Sequence, residues 1–185
     1  NMETKTRNKV YPLAMTAVMA AVICVLGPLS IPVGPVPISF TNFAIYITLY
    51  VLGWKRGTVS YLVYVLIGMV GMPVFSGYSG GLAKLAGPTG GYIVGFIPMA
   101  VIAGLVIDKF RNRGVQLAGM IGATALCYAF GTAWFCFQAE SDLLPALTMC
   151  VFPFIPGDLV KMVVAIAVGP MLRNRLKKAG LQPEG

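Results

Sequence analysis

The sequence predicts an all-α membrane protein: one domain over residues 1–185, six transmembrane helices, and both termini on the cytoplasmic side. Three observations carry this. Hydrophobic residues make up 57% of the chain and charged residues 11%, against about a quarter charged in a water-soluble domain. The apolar residues run in nearly unbroken stretches, unlike the short alternating strands of an outer-membrane barrel, and inside a bilayer such stretches satisfy their backbone as helices. The charges then fall between the stretches, on one side of them.

Taking the elements in order, the stretches long enough for a hydrocarbon core of about 30 Å cover residues 10–26, 38–53, 58–72, 92–107, 115–137 and roughly 155–172. The first follows a basic segment but is not followed by an A-x-A cleavage site, so it reads as a retained span rather than a signal peptide. Lys5, Arg7 and Lys9 precede it, Lys55 and Arg56 separate the second and third, and Lys109, Arg111 and Arg113 separate the fourth and fifth. Arg173, Arg175, Lys177 and Lys178 follow the sixth. Twelve of the fourteen basic residues thus share one side, which the positive-inside rule makes cytoplasmic. The net charge of +8 is therefore topological, and no nucleic-acid partner is implied. The expected location is the plasma membrane.

The two remaining cations mark function. Lys84 lies in the outer loop between the third and fourth spans. Lys161 lies inside the sixth, three positions after Asp158, so the two share a helix face. Ionisable groups at membrane depth are costly unless paired or facing water, so this pair reads as part of a ligand pocket, a purely structural ion pair being the alternative. Pro156 is suited to the first helical position, which sets Asp158 and Lys161 in the outer half of the span. Residues 143–154, interrupted by Pro145 and Pro153, read as a non-spanning cap or a kinked extension.

The outer loops at 27–37 and 73–91 are rich in glycine and proline yet apolar, which suits lids better than solvated linkers. Phe75, Tyr78 and Tyr92 offer aromatic walls. The second loop has no Gly-Lys-Ser/Thr and is not a phosphate loop of the Walker type. Ser39, Thr41 and Asn42 form a polar cluster where the second span begins. In the first span Ala17 and Ala21 have small-xxx-small spacing, which serves internal packing or docking of another membrane subunit. The chain has no histidine, which removes the commonest general base and transition-metal ligand. Its four cysteines lack metal-type spacing and read as packing residues. Catalytic residues, a metal and a cofactor are not expected.

Four segments in order resemble one family: Gly34-Pro35-Val36-Pro37-Ile38-Ser39 with Thr41-Asn42; Gly71-x-Pro73-Val74-Phe75; Leu85-Ala86-Gly87-Pro88-Thr89-Gly90-Gly91-Tyr92 with Gly95-Phe96; and Pro156-Gly157-Asp158-x-x-Lys161. They are similar to BioY, the biotin-binding S-component of energy-coupling factor (ECF) transporters. The resemblance implies a six-helix S-component that captures biotin from outside and works with a transmembrane coupling subunit and two cytoplasmic ATPases, hydrolysing nothing itself. It implies ligand contacts from Asp158, Lys161, Asn42, Thr41, Tyr92, Phe75 and Lys84, and docking of the coupling subunit at Ala17 and Ala21. A stand-alone biotin facilitator, or an S-component for another vitamin, remains the alternative.

Overall fold

The computed structural model describes residues 2–181. Its elements are α1 (Met2–Leu26), β1 (Ser30–Ile31), β2 (Ile38–Ser39), α2 (Thr41–Met69), α3 (Leu82–Ala86), α4 (Gly90–Lys109), α5 (Arg113–Ala139), α6 (Leu143–Cys150) and α7 (Ile155–Lys178). Among the described residues, four helical segments are long and apolar enough to cross a membrane: Lys9–Leu26, Gly90–Lys109, Arg113–Ala139 and Ile155–Lys178.

Helix α2 covers the second and third expected spans, and corrects the boundary between them. Residues 54–57, with Lys55 and Arg56, were expected as a loop and are helical; the turn has contracted to Gly53, at φ 82° and ψ 176°. Only glycine adopts such a conformation without penalty. A Cβ placed on Gly57 would lie 3.4 Å from the Leu49 Cα, whereas eight residues of uninterrupted helix span about 12 Å. The two halves of α2 therefore fold back on each other. The Trp54 N–H that the break releases is taken by the Asp108 carboxylate at 2.9 Å. At the other end the helix starts at Thr41, because Ile38 and Ser39 are drawn into antiparallel pairing with Ile31 and Ser30. Residues 143–154 take the form of a short helix and a turn, the cap rather than the extension.

Tyrosine hydroxyls pin the helices to one another. Tyr50 donates to Gln116 Oε1 at 2.7 Å, Tyr61 to the Ile93 carbonyl at 2.5 Å and Tyr92 to the Cys150 carbonyl at 2.6 Å. The Tyr46 and Thr124 hydroxyls also bond. Each buries a ring and satisfies its polar tip against a different helix, as interiors without water require. Close approach at the α4–α5 seam depends on Gly91 and Gly131: added Cβ atoms would lie 2.4 Å from Trp134 Cβ and 2.5 Å from the Tyr92 ring.

The two ends of the bundle differ. At one, Arg173 of α7 pairs with Asp108 at the end of α4, and the Tyr11 hydroxyl donates to the Leu181 carbonyl at 2.7 Å. The second half of α1, the Gly53 turn and the end of α7 meet there through Met15, Met19, Val51, Leu52, Leu172 and Leu176. At the other end the β1–β2 hairpin, α3 and α6 close over the starts of α2, α4 and α7.

Candidate functional site

Asp158 lies in the first turn of α7, behind Pro156, and is 6% exposed. Three elements supply its donors. Oδ1 accepts from Asn42 Nδ2 of α2 at 2.7 Å and from Lys161 Nζ, one turn on, at 3.2 Å. Oδ2 accepts from the Tyr128 hydroxyl of α5. Lys161 Nζ also donates to the Ser39 carbonyl at 2.7 Å and to Asn42 Oδ1 at 3.3 Å, and it lies over the Phe40 ring. An ion pair this buried, with side chains 11% and 8% exposed, is tolerable only when its remaining hydrogen-bonding capacity is met. The neighbouring hydrogen bonds meet most of it and leave Asp158 Oδ2 with Tyr128 alone, so the geometry of the pair is set before any ligand arrives.

This network forms one wall of a cavity with about 690 Å³ of empty space, its open mouth included. The other walls are apolar and aromatic. Phe75 packs edge-on against Tyr64, centroids 5.6 Å apart, over Gly68, where a Cβ would meet the ring at 2.2 Å. Tyr92 stands edge-on to Phe154 at 6.4 Å, and Phe96 to Tyr61 at 6.0 Å. Val36, Pro37, Ile38 and Ser39 contribute from the first loop, Ser76 from the second, and Thr124, Cys127 and Tyr128 from α5. A fixed acceptor, fixed donors and edge-on aromatic rings around an open-mouthed cavity make a binding site for a polar-headed molecule with an apolar body. Among the described residues, no three His, Cys, Asp or Glu side chains gather as a metal site.

Of the residues singled out in the sequence, Asp158, Lys161, Asn42, Thr41, Phe75 and Tyr92 line this cavity together. Thr41 accepts from Ser39 Oγ at 3.1 Å. Lys84 does not line the cavity. It sits half-buried in α3, where burial lowers its pKa from the ordinary lysine value, and it has no ion-pair partner among the described residues. Tyr78 is 66% exposed and outside the lining. Ala17 and Ala21 are exposed on α1, while Ala20 faces the core.

The profile of the BioY family matches residues 2–178. The chain belongs to the BioY family. Among curated members, it is 38% identical over 166 residues to the biotin transporter BioY of Thermotoga maritima, covering 90% of this chain and 95% of the relative. It is 38% identical over 169 residues to that of Rhizobium etli, covering 85% and 90%. Among solved structures, the S-component for biotin from an ECF-type ABC transporter matches with a TM-score of 0.83 and 32% identity, over 91% of this chain and 93% of that one.

In this BioY member, sequence reasoning missed α5 altogether as a contributor. Thr124, Cys127 and Tyr128 line the cavity at i, i+3 and i+4, spacing that puts them on one helix face. That polar face inside an apolar span was the available signal. Tyr61 and Tyr64 show the same i, i+3 spacing on the second half of α2.

Proposed function

We propose that this BioY member is the substrate-capture subunit of an ECF-type importer, and that its ligand is biotin. The observation that carries the reading is the buried Asn42–Tyr128–Asp158–Lys161 network on the wall of an otherwise aromatic cavity. Biotin's ureido head presents two N–H donors and one carbonyl acceptor. Asp158 is the acceptor for a ureido N–H and Lys161, giving up its 3.3 Å bond to Asn42 Oδ1, the donor for the carbonyl, while Phe75 and Tyr92 flank the fused rings. A fixed polar anchor without a nucleophile–base pair binds its ligand and does not convert it.

In this reading the chain crosses the plasma membrane six times, the two halves of α2 being the second and third spans. The basic Asp108 end faces the cytoplasm and the cavity opens outward. Nine of the basic residues, Lys55, Arg56, Lys109, Arg111, Arg113, Arg173, Arg175, Lys177 and Lys178, flank the Gly53 turn, the α4–α5 connection or the end of α7, which supports that orientation. The exposed Ala17–Ala21 strip is the docking face for a transmembrane coupling subunit, itself driven by two cytoplasmic ATPases.

The test is calorimetric titration of the detergent-purified protein with biotin, repeated with Asp158→Asn and Lys161→Ala. One-to-one binding that is lost in both variants is expected. Binding that survives both would remove the anchor from the site, and no binding of biotin by the unaltered protein would overturn the ligand.

A further inference from the structure

Helix α6 lies between α5 and α7, both long and apolar enough to cross a membrane. Its connections are short: residues 140–142 lead into it and residues 151–154 lead out. The four backbone steps from Ala139 to Leu143 cover at most about 14 Å. With eight residues, α6 is itself only about 12 Å long, too short to cross. Tied at both ends to spans, it stays beside one membrane surface.

Its outward face is apolar. Ala146 and Cys150, four positions apart, are buried against the bundle. The other side carries Leu144, 70% exposed, with Pro145, Thr148 and Met149 exposed beside it. A helix on the surface of a water-soluble protein turns polar and charged residues outward. Here the outward hydroxyl, that of Thr148, donates back to the Leu144 and Pro145 carbonyls at 2.9 and 2.8 Å, and so is satisfied without water.

The apolar surface continues on both neighbours. Phe137, in the last turn of α5, is 76% exposed, its ring centroid 5.9 Å from that of Trp134. Phe152, just after α6, is exposed as well. Aromatic rings gather where hydrocarbon meets headgroups. Between Ala139 and Pro156 the charged residues are Glu140 and Asp142, both acidic and both ahead of α6. Charge therefore gives this face no attraction to anionic lipid.

We infer that the outward face of α6 is a lipid-binding surface, the helix lying flat at the boundary of acyl chains and headgroups with Leu144, Thr148 and Met149 turned into the lipid. Lipid is the occupant, in preference to a second protein, because the face adjoins Phe137 on a span whose exposed side chains already meet acyl chains. The seat also reaches the cavity. The Cys150 carbonyl, at the end of α6, takes the Tyr92 hydroxyl, and Phe154 stands edge-on to the Tyr92 ring. Lipid thus supports one aromatic wall of the cavity from behind. Nothing in this depends on the ligand's identity, so the lipid seat and the biotin reading fail separately.

The experiment places a diazirine analogue of leucine, singly, at Leu144 or Met149 in the full chain, reconstituted in phosphatidylcholine nanodiscs. Leu49, fully buried in the core, supplies the background. After illumination, intact-mass measurement identifies what each carbene has inserted into. A mass shift of one phosphatidylcholine is expected at both exposed positions, well above the Leu49 background, and adding phosphatidylglycerol should leave that adduct the major product. Water adducts alone, or lipid adducts no greater than background, would place the face in solvent and overturn the inference. Cross-linked pairs of this chain would make a second copy the occupant, and adducts confined to phosphatidylglycerol would make headgroup charge the attraction; either result overturns it too.

Discussion

The side-chain amide of Asn42 donates to Asp158 across 2.7 Å, joining the first turn of α2 to the first turn of α7 over 116 positions of sequence. The same side chain accepts, through Oδ1, from Lys161 and from the Phe43 N–H. Asn42 therefore orients both members of the ion pair. Asn42→Ala removes a donor from a buried carboxylate and an acceptor from a buried ammonium, and is expected to lower stability by about 1–3 kcal/mol. Biotin affinity should fall at least about tenfold, since a loss of 1.4 kcal/mol already corresponds to that factor. Thermal unfolding and titration of the purified variant measure the two effects separately.

Asp158 and Lys161 should behave unequally when changed singly and together. Either single change leaves one buried charge unpaired, at an expected cost of about 3–5 kcal/mol, whereas replacing both with neutral residues of similar volume removes most of that cost. The double variant Asp158→Asn/Lys161→Met is thus expected to unfold at a higher temperature than either single variant while still failing to bind biotin. A double variant no more stable than the singles would show that packing, not charge, sets their cost.

Tyr92 is held by contact on two sides, its hydroxyl on the Cys150 carbonyl and its ring against Gly131. Gly131→Ala would place a methyl 2.5 Å from the ring and push it toward the cavity. Overpacking of this kind costs about 1–3 kcal/mol. The expected result is a stability loss in that range together with weakened biotin binding, read by unfolding and titration; a change confined to stability would mean that the ring yields away from the ligand.

At the opposite end, Asp108 receives the Trp54 N–H and pairs with Arg173. Both side chains of the pair are about a quarter exposed, at 26% and 27%, so the pair itself contributes little, about 0–1 kcal/mol. Asp108→Asn should therefore reduce stability by no more than about 1–2 kcal/mol and leave biotin affinity within about twofold, because it lies outside the cavity lining. Titration of this variant is the control that separates local from global effects of the other substitutions.

Ala17 and Ala21 present small side chains on an exposed face of α1. Ala17→Trp is expected to leave biotin binding by the isolated protein intact while abolishing biotin uptake in cells that supply the coupling subunit and ATPases. Uptake that persists in the variant would move the docking face elsewhere, and uptake by this chain without partners would favour a facilitator.

Helical segments and the anchor pair were legible because both obey local rules: apolar length marked six spans, of which four correspond to single helices long and apolar enough to cross a membrane and two to the halves of α2, and Asp158-x-x-Lys161 is a charge pair at helical spacing inside one of them. Thr41, Asn42, Phe75 and Tyr92 were also legible, from their position where loops meet helices. What failed were properties that depend on three-dimensional placement. Lys84 was read toward the cavity because it is a cation in the right loop, yet α3 turns it away from the lining. Tyr128 escaped because one hydroxyl in an apolar helix does not reveal which neighbour it faces. The Lys55–Arg56 segment was read as a loop because charges usually end a helix, whereas a single glycine and the Asp108 carboxylate suffice to reverse the chain without one.

The donors to Asp158 come from residues 42, 128 and 161, and this spread has a consequence for biogenesis. During synthesis the aromatic walls and Asn42 emerge early, but the acceptor they surround is absent until the last helix has been made. No partial chain can then present the complete anchor. Ligand binding becomes a property of the fully inserted protein alone, and a nascent or truncated chain that reaches the membrane cannot sequester the vitamin.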